Sequence, residues 1–385
     1  MAKARILAPW VGTEQKSATY HCVSRVVERQ FHFGKVEKEQ FVTLMRLYEA
    51  FCGVKVLSYC IMSNHFHLLV EVPPRPEDGI SDAELLRRLS LIQSRESVAN
   101  LRGLLEGFQS AEEAGELTPK GREAREALRE KYLSRMWDLG QFMKTLKQRF
   151  SRWFNTRHER KGTLWEERYS SSLVEDGYAA MVTSAYIDLN PVRAGMVTDP
   201  KNYRWCSYAE AVAGDTRARK GIAEVIHKND TRTAGNSPDE DARGYGWRSI
   251  AGRYRLFLYG EGQAPGESQQ AQEVQGKKHS KRKGFTNEQI ERERKRDGNL
   301  GMAVSLQGRM RGLIDGAVIG SRGFVDGVIS QLNEQGYWPK PRKTGASRMN
   351  SLANRGKTID KMVAKKSTPS PASSEIWSLR NLQKE

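Results

Sequence analysis

Four side chains in this sequence have the types and spacing to bind a metal ion and to supply a nucleophile. His65-Phe66-His67 opens the run HFHLLVEV (65–72). Side chains alternate along a strand, so both imidazoles share one face while Phe66 points to the other. Two imidazoles so placed can hold one metal ion. Tyr186 and Asn190 are four residues apart in AYIDLN (185–190), so a helix there stacks a phenol and a carboxamide on one face. The phenol is a nucleophile once it loses its proton, and the amide oxygen is a further donor to a metal. Each piece also has an ordinary structural use. The histidines can be two strand residues on a solvated face, and Ala185, Tyr186, Ile187 and Leu189 can all be core before the helix stop Asn190-Pro191.

Those groups need a strand pair and a helix to hold them. ATYHCVSRVVER (18–29) reads as a strand, and 37–52 as a helix with Phe41, Leu44, Met45 and Tyr48 at helical spacing. VKVLSYCIM (54–62) and 65–72 read as a hairpin around Ser63-Asn64. Pro73, Pro74 and Pro76 end it, and Ser81-Asp82-Ala83-Glu84 is a capping-box pattern opening a helical insertion at 81–133. Residues 136–159 form an amphipathic helix with Leu139, Met143, Leu146, Phe150, Trp153 and Phe154 on one side. TLWEERYSSSLVE (163–175) reads as another strand, and Asp176 as the cap of a helix over 177–189. The order β-α-β-β-α-β-α predicts an α+β, ferredoxin-like fold: a four-stranded antiparallel sheet with helices on one face, a helical insertion and a small helical C-terminal module.

YHCVSR (20–25), IMSNHFHLLVEVP (61–73), GTLWEERYSSSLVE (162–175), AYIDLNPVRAGMV (185–197) and YRWCSY (203–208) follow one another over about 190 residues. As an ordered set they resemble the HUH single-tyrosine transposases, and among these the REP-associated tyrosine transposases. The resemblance implies that His65, His67 and Asn190 hold a Mg²⁺ or Mn²⁺ ion and that Tyr186 is the nucleophile. Tyr169 in RYSSS is a competing phenol with no ligand at the helical offset. The implied activity is that of a metal-dependent transesterase, a transposase-type strand transferase and endonuclease. It would cleave and rejoin single-stranded DNA at hairpin-forming repeats through a 5′-phosphotyrosine intermediate. Competing readings are a domesticated DNA-binding protein without turnover, a replication-initiator or relaxase-type nickase and, last, a hydrolase built on the paired histidines.

Arg25, Lys144, Lys147, Arg149, Arg152, Arg168 and Arg193 are candidate phosphate contacts, and Trp153, Trp165 and Tyr169 candidate platforms for unpaired bases. Trp153 and Trp165 equally suit a core, and Arg193 a turn. Arg322 lies in Ile319-Gly320-Ser321-Arg322, which could turn into the reading helix of a helix-turn-helix-like element.

The formal charge of +17 points to a polyanion. Residues 277–385 hold 23 Lys and Arg against 10 Asp and Glu, a surplus of 13 that leaves +4 for residues 1–276. The basic excess therefore sits in the tail. A mean hydropathy of -0.67 beside eight Trp fits folded domains joined to polar segments. The expected organisation is a catalytic domain at 15–212, a partly ordered extension at 213–261 and a polar linker at 262–284. A small helical, DNA-binding module at 285–338 and a disordered basic tail at 339–385 complete it. Cys22, Cys52, Cys60 and Cys206 show no C-x-x-C spacing, which argues against disulfides and structural zinc. No apolar run suits a membrane span. A cytoplasmic, nucleoid-associated monomer or homodimer acting on single-stranded or hairpin DNA is the expected setting.

Overall fold

The computed structural model describes residues 6–27, 32–229, 245–261, 286–288, 290–291, 317–336 and 377–378. The expected linker at 262–284, and the tail at 339–385 apart from its two residues 377–378, lie outside the described residues.

Strand β1 (Ala18–Arg25) is followed by helix α1 (Lys35–Cys52) and the hairpin of β2 (Lys55–Ile61) and β3 (His65–Val72). Met62 N–H donates to the His65 carbonyl at 2.8 Å across the Ser63-Asn64 turn. The insertion holds three helices, α2 (Asp82–Ser90), α3 (Arg95–Glu113) and α4 (Pro119–Leu133). Ser81 caps α2 as the pattern predicts, but Glu84 does not return the bond; its carboxylate grips Arg87 and Arg88 instead. Helix α5 (Leu139–Arg157) leads back to β4 (Ser170–Val174). That strand is shorter than the sequence suggests, because residues 163–169 touch the sheet through a single bridge, Val26 with Trp165.

The sheet order is β2-β3-β1-β4, each neighbour antiparallel, which is the ferredoxin-like arrangement. Two features depart from the expectation. The first is that helices cover both faces. Phe66, Leu68 and Val70 pack with α1 and α5, whereas Leu57, Cys60 and Leu69 pack with α6 (Tyr178–Asp188), α8 (Ser207–Ala213), α9 (Thr216–Asn229) and α10 (Tyr245–Glu261). The cause is legible in the hairpin. Apolar residues stand on both faces of β2 and β3, and the strands are buried along nearly their whole length, which requires cover on both sides.

The second departure is the sheet's far edge. β5 (Val318–Gly320) pairs in parallel with β4, Leu173 opposite Val318, and β6 (Trp377–Ser378) pairs with β5. The expected helical module at 285–338 therefore contributes a strand to the main sheet. Its helix α11 (Arg322–Glu334) follows at once, capped by Ser321. Gly320 is needed there: a Cβ would stand 2.6 Å from the Phe324 ring and 2.8 Å from the Glu175 side chain. Between α6 and α8 lies the short helix α7 (Asn190–Arg193).

Candidate active site

β3 alternates as its sequence requires. Phe66 is buried under α1 and α5, against Phe41 at 4.6 Å and Trp165 at 5.5 Å between ring centroids. His65 and His67 face the other way, toward α6. Their rings lie 5.1 Å apart, and the Tyr186 ring stands edge-on to His67 at 5.8 Å. The strand histidines and the helix tyrosine, 119 residues apart in sequence, thus meet on one side of the sheet.

A third histidine completes the cluster. His21 sits on β1 next to β3, with its ring nearly parallel to that of His67, the centroids 5.2 Å apart, and its Nε2 3.0 Å from His67 Nδ1. It also meets Tyr186 edge-on at 6.3 Å. Sequence reasoning passed over it. Its signal was the alternation in ATYHCVSR, where the buried Tyr20 and Cys22 put His21 on the opposite face.

Burial, and after it the charge of Arg25, lowers His65 to about 4. Burial, then His65 and His21, holds His67 well below the ordinary imidazole range. Both rings are therefore neutral at physiological pH, the form that offers a lone pair to a metal. His65 Nδ1 lies 2.7 Å from Asn64 Oδ1, a pure acceptor, so Nδ1 carries the proton and Nε2 the lone pair. Among the described residues no group of three or more His, Cys, Asp or Glu is arranged to hold a metal. The two imidazoles of β3 are neutral donors on this face, and the next candidate donor is the amide that opens α7. Asn190, half-buried one turn after Tyr186, donates its amide N–H groups to the carbonyls of Tyr186 and Ile187 at 3.0 and 3.2 Å. That fixes the amide with its oxygen turned away from those carbonyls.

Helix α6 is held by a buried carboxylate two residues past Tyr186. Asp188 accepts from Ser207 Oγ at 3.0 Å, Tyr208 N–H at 3.1 Å and the Tyr254 hydroxyl at 2.7 Å. Burial raises it to about 6 in spite of these bonds. This clamp ties α6 to α8 and α10. An Asp alone in an apolar helix, as in AYIDL, was its only trace in the sequence. The expected cap of α6 is different too: Gly177 is the N-cap, with φ +78°, and Asp176 instead accepts from Thr19 Oγ1 at 2.7 Å.

The remaining candidates separate by face. Arg193 lies over the Tyr186 ring at 4.8 Å, and the exposed Arg25 is opposite His65 in the sheet register. Both flank the cluster. Tyr169 is buried in the core on the other side of the sheet, with Trp165, whose indole N–H donates to Ser151 Oγ at 2.8 Å. Neither presents a ring to the histidines or to a nucleic acid. Lys144, Lys147, Arg149, Arg152 and Trp153 belong to α5, also across the sheet, and Lys147 donates to the Glu167 carbonyl at 3.0 Å. Arg168 is exposed before β4, and Arg322 opens α11 with Asp326 at 3.6 Å.

Residues 14–96 match the family described as "Transposase IS200 like". The chain carries an IS200-transposase-like segment. It spans β1, α1 and the hairpin, and so includes His21, His65 and His67 but stops far short of Tyr186 and Asn190. Among solved structures, that of a REP-associated tyrosine transposase bound to a REP hairpin aligns at 10% identity and a TM-score of 0.34. The alignment covers 55% of this chain and 86% of the other. No curated protein matches the chain. No helix among the described residues is long and apolar enough to cross a membrane.

Proposed function

We propose that the chain is a single-tyrosine DNA transesterase that cuts and rejoins single-stranded DNA at hairpin-forming repeats. The observation that carries this reading is the meeting of Tyr186 with His67, His65 and His21 on one face of a transposase-like sheet. Tyr186 Oη attacks a phosphorus; a bond from phosphorus to the phenol oxygen forms as the bond to the 3′ oxygen breaks. The products are a 5′-phosphotyrosine and a free 3′-hydroxyl, and the reverse step joins strands without ATP. Arg193 places a fixed positive charge beside the phenol, where phosphate oxygens arrive.

His65 and His67, with the Asn190 oxygen, would hold Mg²⁺ or Mn²⁺. When bound, such an ion polarises non-bridging phosphate oxygens. His21 acts on His67: accepting the Nδ1 proton at His21 Nε2 leaves the His67 Nε2 lone pair available. The region 15–212 is the catalytic domain in this reading, and the protein works as a monomer or homodimer on nucleoid DNA in the cytoplasm. Arg25 and Arg193 flank the scissile strand, while Lys144, Lys147, Arg168 and Arg322 serve phosphates farther away.

The test is a covalent adduct. Incubated with hairpin-bearing single-stranded DNA and Mn²⁺, the wild-type protein should become linked to the 5′ fragment, and Tyr186→Phe should not. An adduct that survives Tyr186→Phe sinks the assignment. Binding without cleavage by every variant favours a domesticated binding protein, and cleavage without any protein-linked product favours a hydrolase.

A further inference from the structure

On the far side of the sheet, α1, the α2–α3 connection and α5 enclose an open groove of about 830 Å³. Its apolar lining is half-buried: Leu44 from α1, and Leu91 and Ile92 from the insertion. Its other wall comes from α5, where the exposed Arg149 and Arg152 lie one turn and one residue before the half-buried Trp153. Arg149 hydrogen-bonds the Tyr48 hydroxyl, and Arg157 stacks on Trp153 at 5.8 Å while standing 3.7 Å from Glu37. Among the described residues Arg149 and Arg152 make no ion pair, and no carboxylate lines the groove. Phe41 and Phe150 fill the layer between the groove and Phe66, so Tyr186 and the histidines lie beyond the sheet.

We infer that this groove is a second nucleic-acid site, one that takes an unpaired stretch of strand with a base stacked on Trp153 and phosphates on Arg149 and Arg152. The groove is complementary to an unpaired strand. Guanidinium groups beside an indole and an aliphatic floor offer stacking and phosphate contacts together, the pairing that unpaired nucleotides satisfy. A duplex keeps its base faces stacked inside and offers the groove phosphates alone. An acidic peptide would meet the arginines but has no ring for Trp153. The insertion gains a role, because Leu91 and Ile92 supply one wall. The site depends on its own walls and not on Tyr186, so it stands even if the transesterase reading fails.

The experiment is photocrosslinking of the full chain to a 20-nucleotide single strand carrying 5-iododeoxyuridine, with adducts mapped by mass spectrometry. Adducts on Trp153 are expected, unaffected by Tyr186→Phe and reduced about tenfold by Arg149→Glu with Arg152→Glu. Both arginines are exposed, so circular dichroism should report an unchanged fold. Adducts confined to other regions, an undiminished yield in the double variant, or equal competition by duplex of the same sequence or by poly-glutamate would each overturn the inference. Loss of the phosphotyrosine with these crosslinks intact would count against the transesterase alone.

Discussion

At the residue scale the decisive contact is between two rings that the sequence separates by 46 positions. His21 and His67 share one proton between Nε2 and Nδ1, and which ring carries it decides whether His67 Nε2 can serve a metal. His21→Ala should therefore weaken Mn²⁺ binding by roughly 10- to 100-fold in a calorimetric titration without DNA. His21→Gln keeps an acceptor and should recover part of that loss. Equal affinity in all three proteins would reduce His21 to packing. The shared face of His65 and His67 was legible because a strand has period two, whereas the regular helix expected through Tyr186 and Asn190 is broken, α6 ending at Asp188 and Asn190 opening α7. His21 was not legible, since nothing in a lone strand histidine tells which strand will be its neighbour. Tyr169 against Tyr186 is the same lesson reversed: local sequence offers two phenols, and the face each occupies is set by strands and helices far away.

At the element scale, the proposed reaction needs α6 to present Tyr186 at a fixed rotation, yet the helix is apolar nearly all round and could pack in several. The Asp188 clamp removes that freedom, because a buried carboxylate accepts three directed bonds from α8 and α10 that sliding apolar contacts would not impose. Tyr254→Phe deletes one of these and leaves Asp188 Oδ2 short of a donor. A loss of about 1–3 kcal/mol in denaturant unfolding is expected, with adduct formation slowed more than DNA binding. If adduct formation keeps its wild-type rate while stability drops, the clamp is structural and does not orient the nucleophile. The helices themselves were readable from periodicity and caps. Their placement on the second face was not, because a strand with apolar residues on both faces says that both sides are covered and not by what.

At the scale of the whole molecule, the second helical layer is fastened to the sheet by charge as well as by apolar contact. Glu71, on β3 and almost fully buried, receives Lys55 from β2 at 3.3 Å and Lys228 from α9, which also reaches Asp176 at 3.3 Å. Burial alone would raise the Glu71 carboxyl, but Lys228 and Lys55 outweigh it and the net direction is down. The lysines move up, as partners of one carboxylate should. A folded-state value below the ordinary 4.5 means that the unfolded chain takes up the proton first as pH falls. This contribution is complete above that range and is lost as pH drops through the folded value. Glu71→Gln should cost about 2 kcal/mol at pH 7, in line with hydrogen bonds to charged groups. The same variant should lose less stability than wild type on acidification below about pH 4.5. Thermal melts between pH 3 and 7 measure both: parallel curves for the two proteins across that range would mean that Glu71 is not what ties α9 to the sheet. The strand that carries Glu71 also carries His65 and His67, so the layer that covers the site and the residues that compose it hang on the same eight-residue strand.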